Sequence, residues 1–230
     1  MYDNFSVLAE SLGVKSEDIK SGRKHFYEEL IKISSHYSSI SDEKNSHGKT
    51  IAFANGSDNI QRRNWIPSIK RLPTSLIWNI FTEIRQQIEG VFILVGTAED
   101  TFPDEMETES SVIDMRDKTD IRRLIAILCQ VDLLICNDTG TMHLAHFCGT
   151  PYIALFGPTK GANFAPDGVQ SNIVTADGPC APCHPKSICH SKQCKLLRQL
   201  ETGKIVSLVK DVLDGKITAS STGLPDRSHI

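Results

Sequence analysis

A chain of 230 residues that is 40% hydrophobic and 23% charged has the make-up of an ordinary globular protein with material for a sizeable core. Its net charge of -3 gives no reason to expect a nucleic-acid partner. The longest apolar stretch, Leu124 to Cys136, is broken by Gln130 and Asp132, so no membrane span is expected.

Met1-Tyr2-Asp3-Asn4 shows no basic region followed by an apolar core, so no signal peptide is expected. Seven cysteines without an export signal favour reduced thiols and a cytoplasmic address. Residues 1–48 have helical apolar spacing, for example at Phe26, Leu30 and Ile33, and are read as a helical connecting segment. Regular alternation of strands and helices begins at Thr50. Thr50 to Ala54 reads as a strand running into Asn55-Gly56-Ser57. Ile69, Leu72, Leu76, Ile77, Ile80, Phe81, Ile84 and Ile88 then fit one side of a helix. Val91 to Val95 is a strand ending at Gly96, and Ser111 to Ile113 a weak one. Ile121, Leu124, Ile125 and Leu128 mark a helix with Asp120 as its N-cap.

The stretch that organises the chain follows. Leu133 to Cys136 is a buried strand, Asn137-Asp138-Thr139-Gly140 a polar turn, and Thr141 to Phe147 a helix stopped by Gly149 and Pro151. A further strand, Tyr152 to Phe156, runs into Gly157-Pro158-Thr159. A short strand at Asn172 to Thr175 leads to a loop rich in Cys, His, Pro and Lys. A closing helix carries Ile205, Leu208, Val209 and Val212, and residues 214–230 form a polar tail. Strands alternating with helices predict an α/β fold, a Rossmann-like doubly wound parallel sheet spanning residues 49–213. Ligands of such sheets sit at the carboxyl ends of the strands, where a helix N-terminus offers N–H groups to phosphate. Gly140 and the N–H groups up to Met142 are therefore a candidate anion site. Asp138, itself an anion, either caps the helix or accepts hydrogen bonds from ligand hydroxyls. Thr139 and Thr141 flank the same turn. His143, in the first helical turn, either reaches the ligand or is a satisfied, partly buried histidine.

The string from Asn137 to Thr159, NDTGTMHLAHFCGTPYIALFGPT, resembles the donor-binding signature of the heptosyltransferase-like glycosyltransferases of family 9. Asp138, Gly140, His143, Gly149, Pro151, Phe156, Gly157 and Pro158 match in order and spacing. The resemblance implies the C-terminal half of a two-domain GT-B enzyme, the half that binds a nucleotide-diphosphate sugar such as ADP-heptose. It implies inverting, metal-independent transfer to a lipopolysaccharide-core or other glycan acceptor, peripheral to the inner membrane. The general base would lie in the other, N-terminal domain, which nothing here resembles. A partner chain or self-association would then supply the acceptor side; the alternative is a non-catalytic module that binds nucleotide sugar.

Two further residues follow from the resemblance. Arg62-Arg63-Asn64-Trp65-Ile66-Pro67 is similar to the family's Lys-x-Trp-Pro segment, with Arg63 in the Lys place and Ile66 inserted, and a cation there would neutralise the leaving diphosphate. Glu99, after Gly96, matches an acidic residue that contacts the ribose. Asp114-Met115-Arg116 would flank the base. No Asp-x-Asp pair is present to hold a divalent metal, and no cofactor is required for transfer. Cys180, Cys183, Cys189 and Cys194 could together ligate a structural zinc or iron; packed thiols or a disulfide are the alternatives.

Overall fold

The computed structural model describes residues 48–56, 69–166, 172–181 and 194–217. All but the last residue of the connecting segment expected at 1–48, the Arg62–Pro67 segment, Cys183, Cys189 and most of the polar tail lie outside these residues. Six strands form one parallel sheet: β1 (Lys49–Ala54), β2 (Gly90–Val95), β3 (Val112–Asp114), β4 (Leu133–Asn137), β5 (Tyr152–Phe156) and β6 (Ile173–Thr175). Their order across the sheet is β3-β2-β1-β4-β5-β6, every pair parallel. This is the doubly wound arrangement in which the winding reverses between β1 and β4, opening a crevice at their carboxyl ends.

Alternation along each strand sends side chains to two cores. Ile51, Phe53, Phe92, Leu94, Leu133, Ile135, Ile153 and Leu155 face α1 (Thr74–Arg85), α6 (Thr202–Leu213) and the 3₁₀ turn Lys195–Gln199. Ala52, Ala54, Ile93, Val95, Leu134, Cys136, Ala154 and Phe156 face α3 (Ile121–Gln130) and α4 (Gly140–Phe147). Two single-turn helices, α2 (Asp104–Glu107) and α5 (Gly161–Phe164), complete the connections.

The helix boundaries have local causes. Asp120 caps α3, its carboxylate accepting from the Arg123 N–H at 2.7 Å as expected. At the far end of α4, Gly149 adopts φ 65°. Its N–H donates to the His146 carbonyl at 3.1 Å and the Thr150 N–H to Ala145 at 2.9 Å, a Schellman cap. The helix expected from Ile69 instead begins at Thr74. Pro73 stands at its N-cap position with φ -57°, and a residue before proline is disfavoured in helical geometry. Residues 70–72 are therefore freed from the helix and lie over the strand ends.

Candidate functional site

The carboxyl ends of β1, β2 and β4 converge on one small volume. A Cβ built at Gly56, just past β1, would lie 3.1 Å from Thr139 Oγ1 and 3.5 Å from Asp100 Oδ2. Two fully buried asparagines tie this end of the sheet to the 70–72 segment. The Asn137 side-chain amide donates to the carbonyls of Gly56 (2.7 Å) and Lys70 (2.9 Å), bridging the switch point. Asn55 accepts from the Leu72 N–H at 2.7 Å and donates to the carbonyls of Leu72 and Thr101. Most buried polar groups in folded proteins are paired in this way.

Asp138, Thr139, Gly140, Thr141 and His143 lie together on the β4–α4 turn. Thr139 is the N-cap residue of α4 and makes no side-chain cap bond, so the helix does not use Asp138 as a cap. Asp138 instead accepts from Thr159 Oγ1 at 2.7 Å and pairs with the Lys70 ammonium at 2.7 Å. This contact joins the Asp-Thr-Gly half of the motif to its Phe-Gly-Pro-Thr half. Gly140 is exposed, and a Cβ there would meet none of the described residues within 4 Å. His143 is exposed at the same end. Desolvation by the surrounding protein lowers its pKa below the ordinary histidine value, with the Asp138 charge pulling the other way. Lys70 Nζ also stands 5.6 Å from the centre of the Phe164 ring, an aromatic side chain left 48% exposed beside the site.

Glu99 is exposed in the turn after Gly96, and its neighbour Asp100 takes the inward position. Asp100 is 3% exposed; its carboxylate accepts from the Thr97 N–H at 2.9 Å and pairs with Arg71 at 3.2 Å. Gly96 makes room for it, with φ 136° and a would-be Cβ only 2.3 Å from Asp100 Oδ2. Arg116 closes the network: it donates to the Asp100 carbonyl at 2.8 Å and pairs with Asp114 and Glu107. The hydrogen bonds that Arg116 donates to Asp114 hold its guanidinium firmly protonated, and they hold the Asp114 carboxyl below its usual pKa. Two buried polar atoms here, Arg71 Nε and Asn137 Oδ1, have no hydrogen-bond partner among the described residues.

Lys70, Arg71 and Asp100 were not singled out from the sequence, although a signal for the first was present. Lys70-Arg71-Leu72-Pro73 fits the Lys-x-Trp-Pro order with no inserted residue, Leu72 standing for Trp. It leads straight into α1, and its lysine lies at Asp138, whereas Arg63 is outside the described residues. Of the cysteines, Cys180 is exposed while Cys194 is buried in the core beside Leu196 and Leu197. No group of three or more metal-ligating side chains occurs among the described residues. Cys136 lies fully buried under Asp138, and burial pushes its thiol pKa well up, as expected of an inert core cysteine.

Comparison with known proteins agrees with this fold. Lipooligosaccharide heptosyltransferase 2 of Campylobacter jejuni is 29% identical over 152 residues, covering 64% of this chain and 47% of that protein. The chain thus spans about half the length of the curated relatives it matches. The structure of E. coli ADP-heptose lipopolysaccharide heptosyltransferase II superposes with a TM-score of 0.56 at 14% identity, covering 80% of this chain and 52% of that one. The dodecameric iron-containing heptosyltransferase TibC of E. coli, solved with ADP-D-β-D-heptose, gives 0.55 at 10% identity, covering 74% and 46%. Both share its fold. Among the described residues no helix is long and apolar enough to cross a membrane. The family model of glycosyltransferase family 9 (heptosyltransferase) matches residues 78–194, just over half of the sequence, and the chain belongs to that family.

Proposed function

We propose that this chain is the donor-binding half of a heptosyltransferase, holding a nucleotide-diphosphate sugar, ADP-heptose, at the β1/β4 switch point. The observation that carries the reading is the Lys70–Asp138 pair at the opening of α4. A diphosphate there meets the N–H groups of the first helical turn and the Lys70 ammonium, which together stabilise the charge of the leaving group. Asp138 orients Lys70 and accepts from the sugar hydroxyls, and His143 borders the same space. Glu99 is assigned to the ribose, and Arg63 is the alternative cation for the same diphosphate. Transfer is inverting and needs no metal or cofactor, positive charge coming from side chains and helix N–H groups. The enzyme works in the cytoplasm, peripheral to the inner membrane. The donor domain is assigned to residues 49–213.

The general base and the acceptor site, for a lipopolysaccharide-core glycan, are assigned to another domain or chain. The alternative reading is a nucleotide-sugar-binding module that transfers only with a partner chain. Calorimetric titration with ADP, ADP-heptose and a UDP-sugar tests the donor site. Binding of the ADP ligands, weakened in Asp138→Ala and in Lys70→Ala, is the expected result. Wild-type affinity in both variants, or no binding by the wild type, would overturn it. Transfer assays with and without a chain carrying the acceptor domain separate the two readings.

A further inference from the structure

We propose that the buried Asp100–Arg71 pair is a positioning device for Lys70, fixing the 70–72 segment so that the ammonium is held over α4. The inference rests on the reading of that place as the diphosphate site.

A lysine side chain is long and loses rotamer freedom at a cost, and Lys70, 32% exposed, reaches Asp138 and the Phe164 ring only if its backbone is held in place. Its backbone is what is fixed. Asn137 holds the Lys70 carbonyl at 2.9 Å and Asn55 holds both polar groups of Leu72. Between them Asp100 grips Arg71, the two side chains only 4% and 14% exposed. The first two clamps are neutral hydrogen bonds, whereas the third is a charge pair. Burying such a pair is a poor way to gain stability, because desolvation offsets the attraction and apolar side chains would do as well. Its geometry, in contrast, is directional.

Asp100 is in turn determined from several sides. The Thr97 N–H, the missing side chain of Gly96 and the Arg116 guanidinium on its carbonyl all hold it. Arg116 is itself fixed by Asp114 at the end of β3 and by Glu107. A continuous set of charged contacts thus runs from the sheet edge to the residue next to Lys70. Asp100 cannot serve the diphosphate directly, since two anions repel. Its effect on the ligand passes through the placement of Lys70.

The test is calorimetric titration of the full chain with ADP in Lys70→Ala, Asp100→Asn and the two combined. Asp100→Asn should weaken ADP binding by roughly two- to thirty-fold, the span for residues that modulate a site through contacts. In the Lys70→Ala background the same change should weaken it by less than about twofold, because the group it positions is gone. Arg71→Lys, which keeps the charge, should bind ADP more tightly than Arg71→Ala. Equal losses in both backgrounds would show general support of the fold and overturn the proposal. So would unchanged affinity in Asp100→Asn while Lys70→Ala binds weakly. Unchanged affinity in Lys70→Ala would instead sink the diphosphate site itself. If Asp100→Asn does not fold, Asp100→Asn with Arg71→Gln leaves no unpaired buried charge and is judged by the same comparison.

Discussion

Replacing Gly96 by alanine asks how tightly the β2 turn is built. Two costs add. At φ 136° an L side chain is strained, by about 1–3 kcal/mol. The new Cβ would also stand 2.3 Å from Asp100 Oδ2 and 3.2 Å from its Cγ, so the carboxylate must move. Asp100 has a short side chain, nearly fully buried and bonded to Thr97 N–H and Arg71. Displacing it gives up a charged hydrogen bond, worth about 1.5–3 kcal/mol. Some relaxation of the turn offsets the sum, leaving roughly 3–5 kcal/mol. At about 2–4 °C per kcal/mol for a chain of this size, the melting temperature should fall by roughly 6–20 °C. Gly203→Ala is the control: it lies in α6, meets nothing within 4 Å, and should stabilise by about 0.5–1 kcal/mol. Thermal unfolding followed by circular dichroism at one scan rate reads both. A Gly96→Ala protein that melts with the wild type would mean that the turn shifts without loss, and that Asp100 is not held where the argument needs it.

Three further outcomes are expected. His143 has a lowered pKa in the folded chain, so the unfolded state binds more protons below about pH 6.5 and stability should fall as pH drops through that range. His143→Gln should flatten this part of the profile in urea melts at pH 5.5 and 8; an unchanged slope would refute it. Binding should show the opposite trend, because a nearby diphosphate raises the same pKa: ADP should take up protons on binding at pH 6 in buffers of different ionisation enthalpy, and His143→Gln should abolish the uptake. If the Cys180, Cys183, Cys189 and Cys194 set holds a metal, elemental analysis of protein purified without chelator should find close to one equivalent of zinc or iron, lost in Cys180→Ser with Cys183→Ser, and no metal would leave packing as the account.

The sheet was legible because its strands are short apolar runs bounded by Gly, Asn and Pro. Leu133 to Cys136 and Tyr152 to Phe156 fall where the alternation places them, and even the weak Val112–Ile113 signal is a strand. The α4 stop was equally local, in Gly149. α2 was missed because Met106 is its one buried side chain, too little for a periodic pattern. The site was legible only on the β4–α4 turn. Asp100 and Lys70 escaped because their partners are distant in sequence, Arg71 and Asp100 being 29 positions apart. The family resemblance pointed to the exposed Glu99 and carried no information on its buried neighbour Asp100. Ile69 and Leu72, though spaced like helix residues, were taken out of α1 by Pro73.

The two faces of the sheet are unequal in bulk, and α4 lies over the thin one. Ala54, Cys136 and Ala154, all at most 3% exposed, stand beneath it with Ala145 on its underside. Phenylalanines and isoleucines fill much of the opposite face. The floor under α4 therefore acts as a shim. Each methyl group in it sets how high the first turn, with Gly140 and His143, rides above the strand ends. Close-packed interiors transmit such changes rather than absorb them. Volume at these alanines thus adjusts the level of a polar surface that none of them touches.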